Sequence, residues 1–303
     1  MQNQTSPLIL SFGAADPAGA CGVQADLATF SALSCTGLAV TTALLIGDTA
    51  RIEDSQDIDP DWVADQARVV LEDMSMAAFK VGALTNIEQV AAIAEILSDY
   101  PDAPLILDPF SSRLPDLADD DSEDLLTAVR QLLVPQATLL MLSAVELGRL
   151  AETWRESAAG AGEDNEGAGD GEGESASTVA ADADYLIALG CEYVLVTGTP
   201  AGSRAHQAVN PAASNILANT LYSADGVVSH EAWQHLPGPF LGAGGTLSAA
   251  ITAFMARGAD APEAVSAAQE YTVGALAHAQ RYGMGKFIPN RFFHLLTTPA
   301  DMQ

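Results

Sequence analysis

Leu8-Ile9-Leu10-Ser11-Phe12 runs into Gly13-Ala14-Ala15-Asp16-Pro17-Ala18-Gly19-Ala20-Cys21-Gly22, then into Val23 to Leu33 with apolar residues at helical spacing, then into Leu38 to Leu45, rich in Val and Thr. A short apolar run, a glycine-rich turn, an amphipathic stretch and a second short run predict strand, turn, helix, strand. The order recurs. Ala77 to Gly82 predicts a strand, Asn86 to Tyr100 a helix, Pro104 to Pro109 a strand, Glu123 to Leu133 a helix and Ala137 to Leu142 a strand. Tyr193 to Thr197 predicts a further strand, and Thr246 to Ala256 and Ala261 to Tyr282 predict long helices. Repeated strand–helix units of this kind imply an α/β fold with a mostly parallel sheet covered by helices.

The chain has 303 residues, 49% of them hydrophobic, which is enough for one large α/β domain. Its 40 acidic and 12 basic residues give a formal charge of −28, and Lys80 and Lys286 are the only lysines. So negative a surface repels phosphate backbones and anionic bilayers, which argues against nucleic acid and membrane partners. The acidic excess predicts a protein working at high ionic strength, where salt screens its self-repulsion. Cys21, Cys35 and Cys191 form no Cys-x-x-Cys pair, and Met1 to Pro7 carry no positive charge ahead of an apolar run, so a reducing cytoplasm is expected. The histidines, His206, His230, His235, His278 and His294, lack metal-ligand spacing and are expected at the surface or as satisfied core residues. Glu156 to Ser177 holds seven carboxylates among Gly, Ala and Ser with no Lys or Arg, and predicts a flexible, solvated insertion into a single domain spanning 1–303. Asp116 to Asp124, with six carboxylates, lacks the EF-hand spacing and is expected as a solvated surface run.

In doubly wound sheets ligands gather at the carboxyl ends of strands. After the first strand, Asp16 either caps the turn or accepts from a ligand hydroxyl, while Gly19 and Gly22 let the backbone approach it; Asp26 is either a pocket or a surface carboxylate. Asp108 ends a strand ahead of Pro109, from where a carboxylate can face Mg²⁺, and Glu146 follows another strand end and can serve the same ion. Gly242-Ala243-Gly244-Gly245-Thr246, opening an apolar helix, is either a tight packing loop or an anion site, because three small residues let N–H groups converge at the positive helix end.

Together, Gly13 to Phe30, Thr42-Ala43-Leu44, Lys80-Val81-Gly82, Leu107-Asp108-Pro109, Glu146, Gly190-Cys191, Gly242 to Ala250 and Gly283 to Phe293 fall in an order that resembles the hydroxymethylpyrimidine/phosphomethylpyrimidine kinases of thiamine synthesis, in the ribokinase-like superfamily. The resemblance implies a three-layer α/β/α ribokinase-like fold and ATP-dependent, Mg²⁺-assisted phosphorylation of hydroxymethylpyrimidine, its phosphate or a related hydroxymethylated heterocycle, by a protein that is commonly a homodimer. Carried over residue by residue, it implies an anion hole at Gly242, Ala243, Gly244 and Gly245, substrate contacts from Asp16, Gly19, Asp26, Gly47 and Ala83, nucleotide contacts from Thr197, Gly198, Gly244 and Thr246, and metal contacts from Asp108 and Glu146. The chain also departs from that family. The family's anion-hole motif reads Gly-Thr-Gly-Cys, and here Gly245 stands in place of the Cys. A pyrimidine-pairing Gln aligns with Gly47, a ring-packing Met with Ala83, a metal-motif Asn with Ser143 and a phosphate-facing Lys with Thr197. Two readings follow: a working kinase that relies on positioning, or a degenerate paralogue that binds a small molecule or a partner without turnover.

Overall fold

A computed structural model describes residues 6–110, 120–152, 171–200, 216–234 and 236–295. The chain divides into two compact units, unit 1 from Met1–Arg113 and Leu236–Gln303 and unit 2 from Leu114–His235.

Unit 1 contains β1 (Leu8–Ala15), α1 (Gly22–Ala32), β2 (Thr36–Gly47), β3 (Ile52–Asp57), α2 (Pro60–Asp73), β4 (Ala78–Val81), α3 (Ile87–Leu97) and β5 (Leu105–Leu107). Its strands lie in the order β3-β2-β1-β4-β5. β1 runs parallel to β2, with Leu8 opposite Thr36, and to β4, with Ile9 opposite Ala78; β4 runs parallel to β5, and only the edge strand β3 is antiparallel. Ile9, Leu10, Ser11 and Phe12 are all fully buried although consecutive strand residues point to opposite faces, so both faces of the sheet are covered. The later helices of unit 1, Ala243–Ala256 and Ala261–Ala277, pack on each other, and the first of them packs on α1, β1, β4 and β5; α2 and α3 pack together. Asp59 caps α2 ahead of Pro60, and Asn86 caps α3 through a bond from the Gln89 N–H (3.1 Å). The predicted α/β class with a three-layer arrangement is what forms. The last of these helices stops at Ala277 rather than Tyr282, because Gln280 turns back to pair with Ile288.

Unit 2 contains α4 (Asp120–Ala128), β6 (Leu139–Ser143), α5 (Ala144–Leu150), α6 (Gly171–Ala188), β7 (Tyr193–Pro200), β8 (Ile216–Ser223) and β9 (Gly226–Gln234), which places the two later helices of unit 1 as α7 (Ala243–Ala256) and α8 (Ala261–Ala277). β6 and β7 are parallel, and β8 and β9 follow antiparallel. The expected acidic insertion lies outside the described residues up to 170, and from Gly171 the backbone is helical. The first residues of the second acidic cluster also lie outside; its Glu123 pairs with Arg149 at 3.0 Å. Among the described residues no helix is long and apolar enough to cross a membrane, and no group of three or more His, Cys, Asp or Glu side chains is placed to hold a metal.

Candidate functional site

The glycine-rich turn at Gly242 opens α7, as its sequence predicts. Gly242 is the N-cap with φ +88°, and a Cβ there would lie 1.8 Å from the Ala20 carbonyl oxygen, so both conformation and space demand glycine. The first intrahelical bond runs from the Thr246 N–H to the Gly242 carbonyl (3.0 Å). Helix geometry therefore leaves the N–H groups of Ala243, Gly244 and Gly245 without intrahelical acceptors, at the positive end of a 14-residue helix. Thr246 itself is fully buried, and its hydroxyl donates to the Gly242 carbonyl (2.7 Å), so its side chain braces the turn from inside. A Cβ on Gly245 would meet nothing within 4 Å.

Against this turn packs the loop after β1. Asp16 is 4% exposed, and its carboxylate accepts the N–H groups of Ala18, Ala20 and Cys21, each at 2.9 Å, together with the Cys21 thiol at 3.2 Å. Of its two sequence readings, capping the turn is the one on view: the carboxylate gathers the loop's own donors. Gly22 has φ +61° and no room for a Cβ, which would sit 2.0 Å from the Ala14 oxygen. Gly19 has φ +65° and open space, and its N–H bonds the Asp16 carbonyl (3.0 Å).

Asp26 is no surface carboxylate. It is 2% exposed and accepts from Ser11 Oγ (2.7 Å) and from Lys80 Nζ (3.0 Å), which is itself 2% exposed. The two charges come from α1 and β4 and meet at Ser11 of β1, which Lys80 faces in the strand register. Asp108 follows β5 as expected, 5% exposed, and accepts from Ser248 Oγ (2.8 Å) on α7; the same oxygen lies 3.3 Å from the Gly245 carbonyl, which ties the Asp108 carboxylate to the first turn of α7.

Gly47 ends β2 in the hairpin to β3, where a Cβ would lie 2.8 Å from the Arg51 oxygen and 2.9 Å from Ile52 Cα, so this position offers backbone alone. Asp48 caps the hairpin turn by accepting from the Ala50 (2.7 Å) and Arg51 (3.0 Å) N–H groups, which hold its carboxyl below the usual range. The turn is latched by the C-terminal segment: Lys286 N–H donates to the Thr49 carbonyl (2.9 Å) and Gly285 N–H to Thr49 Oγ1 (3.2 Å). Ala83 lies just past β4, half-buried.

In unit 2, Glu146 forms a capping box with Ser143: the Ser143 N–H donates to Glu146 Oε2 (2.6 Å), and the Glu146 N–H to Ser143 Oγ (3.3 Å). One carboxylate oxygen of Glu146 is thus used in opening α5. Thr197 Oγ1 donates weakly to the Leu142 carbonyl (3.4 Å); Gly198 has φ +69° with open space around a Cβ, and its N–H donates to Asn219 Oδ1 (3.0 Å).

Three side chains that the candidate residues did not include complete the picture in unit 1: Lys80, Ser248 and Arg291. Arg291 joins the two glycine-rich turns through its guanidinium. Its sequence signal is a cation set among Phe287-Ile288-Pro289 and Phe292-Phe293 in a chain with few basic residues. The arrangement can hold an anion on unspent N–H groups while Asp108 stands beside them.

The cysteines divide by environment. Burial pushes the Cys191 thiol up to about 12 and raises Cys35, whereas Cys21 is half-buried at the N-cap of α1. A maleimide at pH 8 is expected to label Cys21 first, with Cys35 and Cys191 reacting only after unfolding; equal labelling of all three in the folded protein, read by peptide mass spectrometry, would contradict these burials.

Residues 16–290 match a sequence model of the family described as phosphomethylpyrimidine kinase. The chain is 30% identical to the hydroxymethylpyrimidine/phosphomethylpyrimidine kinase of Salmonella typhimurium over 94% of its own length and 97% of that protein's. It is likewise 30% identical to the protein of that name from Streptomyces coelicolor, over 93% of each chain. Among solved structures, an ADP complex of Bacillus subtilis pyridoxal kinase superimposes with a TM-score of 0.77 at 22% identity, covering 96% of this chain and all of that one (100%). A phosphomethylpyrimidine kinase from Clostridium difficile gives 0.66 at 21% identity, covering 89% and 100%. These neighbours share the fold, as the ribokinase-like resemblance implies.

Proposed function

The chain belongs to the phosphomethylpyrimidine kinase family, and from that membership we propose that it transfers the γ-phosphoryl group of ATP to the hydroxymethyl group of hydroxymethylpyrimidine, its phosphate or a closely related heterocycle in thiamine biosynthesis. The observation that carries this reading is the opening of α7, where three unspent N–H groups converge at a helix N-terminus and the adjoining turns leave no room for a side chain at Gly242. Such donors stabilise charge on a phosphoryl group in transit, and a loose transition state asks mainly for positioning and electrostatics. Every relative named above is a kinase, which favours turnover over the non-catalytic alternative.

The donor set suits the groups the reaction needs. Magnesium binds through one or two carboxylates together with substrate phosphates, keeping several waters, so no dedicated cage is required. Asp108, buried at a strand end, and Glu146, with one oxygen outside its capping box, are each carboxylates of the kind it takes. When bound, MgATP supplies the phosphoryl group and offsets its charge. In this chain the Ala243, Gly244 and Gly245 N–H groups cradle that phosphoryl, Ser248 fixes the Asp108 carboxylate beside it, and Thr197 and Gly198 contribute to holding the nucleotide. The Asp16 turn, with Gly19, and the hairpin end at Gly47, with Ala83, shape the acceptor side, and the buried Asp26–Lys80 pair supports its floor. Residues 1–303 act as one cytoplasmic kinase domain with an acidic insertion at about 156–177, and the protein pairs as a homodimer.

Calorimetric titration in high salt with Mg²⁺, first with ATP and then with hydroxymethylpyrimidine, followed by a phosphorylation assay, tests the reading. Binding of both with formation of the phosphate ester is expected. A folded sample that binds neither, or binds both without transfer, overturns it.

A further inference from the structure

The phosphoryl-binding turn has a partner that none of the candidate residues supplied. Arg291 lies beyond α8, in the C-terminal segment that returns to unit 1, and its side chain is almost entirely enclosed, with 5% of its surface exposed. Its guanidinium donates from Nη2 to the Ala20 carbonyl (2.6 Å), from Nη1 to the Gly19 carbonyl (3.3 Å) and from Nε to Thr246 Oγ1 (3.2 Å). Thr246 passes the connection on, since its hydroxyl proton goes to the Gly242 carbonyl. One planar fork therefore grips both glycine-rich turns: the Gly19–Ala20 carbonyls on one side and, through Thr246, the N-cap of α7 on the other. Its backbone is fixed in turn, because the Tyr271 hydroxyl donates to the Arg291 carbonyl (2.6 Å).

The acceptors are what make this arrangement unusual. An enclosed guanidinium is ordinarily matched by a carboxylate, because an unpaired buried charge is costly. Among the described residues Arg291 forms no ion pair within 4.0 Å, and its direct partners are neutral oxygens. Burial lowers its pKa, and the more distant Asp26 and Asp16 are among the groups that offset this. A cation held this way keeps much of its field unspent, directed at a helix N-terminus that is already positive. Enclosed, with no carboxylate in direct contact and beside a helix N-terminus, the site is a costly place for a positive charge unless an anion arrives to meet it.

We propose that Arg291 is a positioning residue for the transferred phosphoryl group: it fixes the direction of the Ala243–Gly245 N–H donors by bolting their turn to the Gly19–Ala20 loop, and it places a positive charge behind them. The inference rests on the kinase reading for its substrate. A guanidinium fork is needed rather than any cation, because an ammonium cannot reach three oxygens spread over two turns in one plane.

The test compares the full-length chain with Arg291→Lys, Arg291→Met and Thr246→Val, each checked for folding by thermal unfolding, using pyrophosphate binding by calorimetry and steady-state phosphorylation as separate readouts. Arg291→Met is expected to weaken pyrophosphate roughly 10- to 100-fold and to lower kcat about 100-fold, with the acceptor KM little changed. Arg291→Lys is expected to recover pyrophosphate affinity more than kcat, since it restores charge without the fork. Thr246→Val, the gentler change, is expected to lower kcat on its own but to add nothing in the Arg291→Met background. Arg291 variants that lose thermal stability yet keep pyrophosphate affinity and kcat would overturn the proposal, leaving a structural staple. Pyrophosphate bound by the full-length chain and lost in Arg291→Met, without turnover in either, would sink the kinase reading while upholding the anion-positioning role. No pyrophosphate binding by the full-length chain overturns both.

Discussion

Gly245→Cys and Gly245→Asp are expected to raise the phosphoryl-transfer rate constant about 10²- to 10⁴-fold, the range a well-placed general base contributes. Gly245 occupies the first turn of α7, where the N–H donors converge, and it bears no side chain able to take the acceptor's proton. A Cβ there meets nothing within 4 Å and the backbone is helical, so the Cβ of either variant has room. Removing glycine from a helix also favours the folded chain by roughly 0.5–1 kcal/mol, so loss of structure should not mask a gain in rate. Gly245→Ala separates the two effects: it should share the stability gain and none of the rate gain. If Cys, Asp and Ala at this position all turn over at the native rate, the proton leaves by another route and the restored-base account is wrong.

Breaking the Lys80–Asp26 pair is the largest stability change expected. Both side chains are 2% exposed and 3.0 Å apart, with Ser11 Oγ completing the carboxylate's coordination. Lys80→Met leaves a buried carboxylate with one neutral donor, and such a loss costs about 3–5 kcal/mol. The pair as a whole is worth far less than that figure, because its own desolvation offsets the attraction. Replacing all three groups with apolar residues, as Lys80→Met, Asp26→Leu and Ser11→Ala together, should therefore recover most of the loss. Urea unfolding followed by circular dichroism reads both. A single Lys80→Met variant within about 1 kcal/mol of the native chain would mean water reaches Asp26 and the pair is not sealed.

The parallel part of unit 1 was legible because a strand covered on both faces leaves a continuous apolar run, and Leu8–Phe12 is such a run. The hairpin strand β3 was not: Ile52–Asp57 is largely exposed and acidic, and only its register against β2 makes it a strand. The helical backbone from Gly171 was hidden by a Gly- and Ser-rich composition that predicts disorder. At the site, the residue types and strand ends could be read along the chain, and so could the glycines at Gly19 and Gly242. The partnerships could not. Lys80 meets Asp26 across 54 positions, Ser248 meets Asp108 across 140, and Arg291 meets Gly19 across 272. Asp16 shows the converse, a local device whose carboxylate takes donors that all lie within five residues, and its turn-capping role was among the readings the sequence offered.

Unit 1 is discontinuous, with the whole of unit 2 lying between its two pieces of chain. On a ribosome, β1 to β5 emerge on the order of ten seconds before α7 does. Through that interval the sheet face destined for α7 is bare apolar surface, and the Asp16 turn has nothing to be bolted to. The last tie is made only when Tyr271 and Arg291 have followed α7 out of the exit tunnel. A nascent chain that has not yet delivered α7 therefore exposes that apolar face and lacks the turn at Gly242.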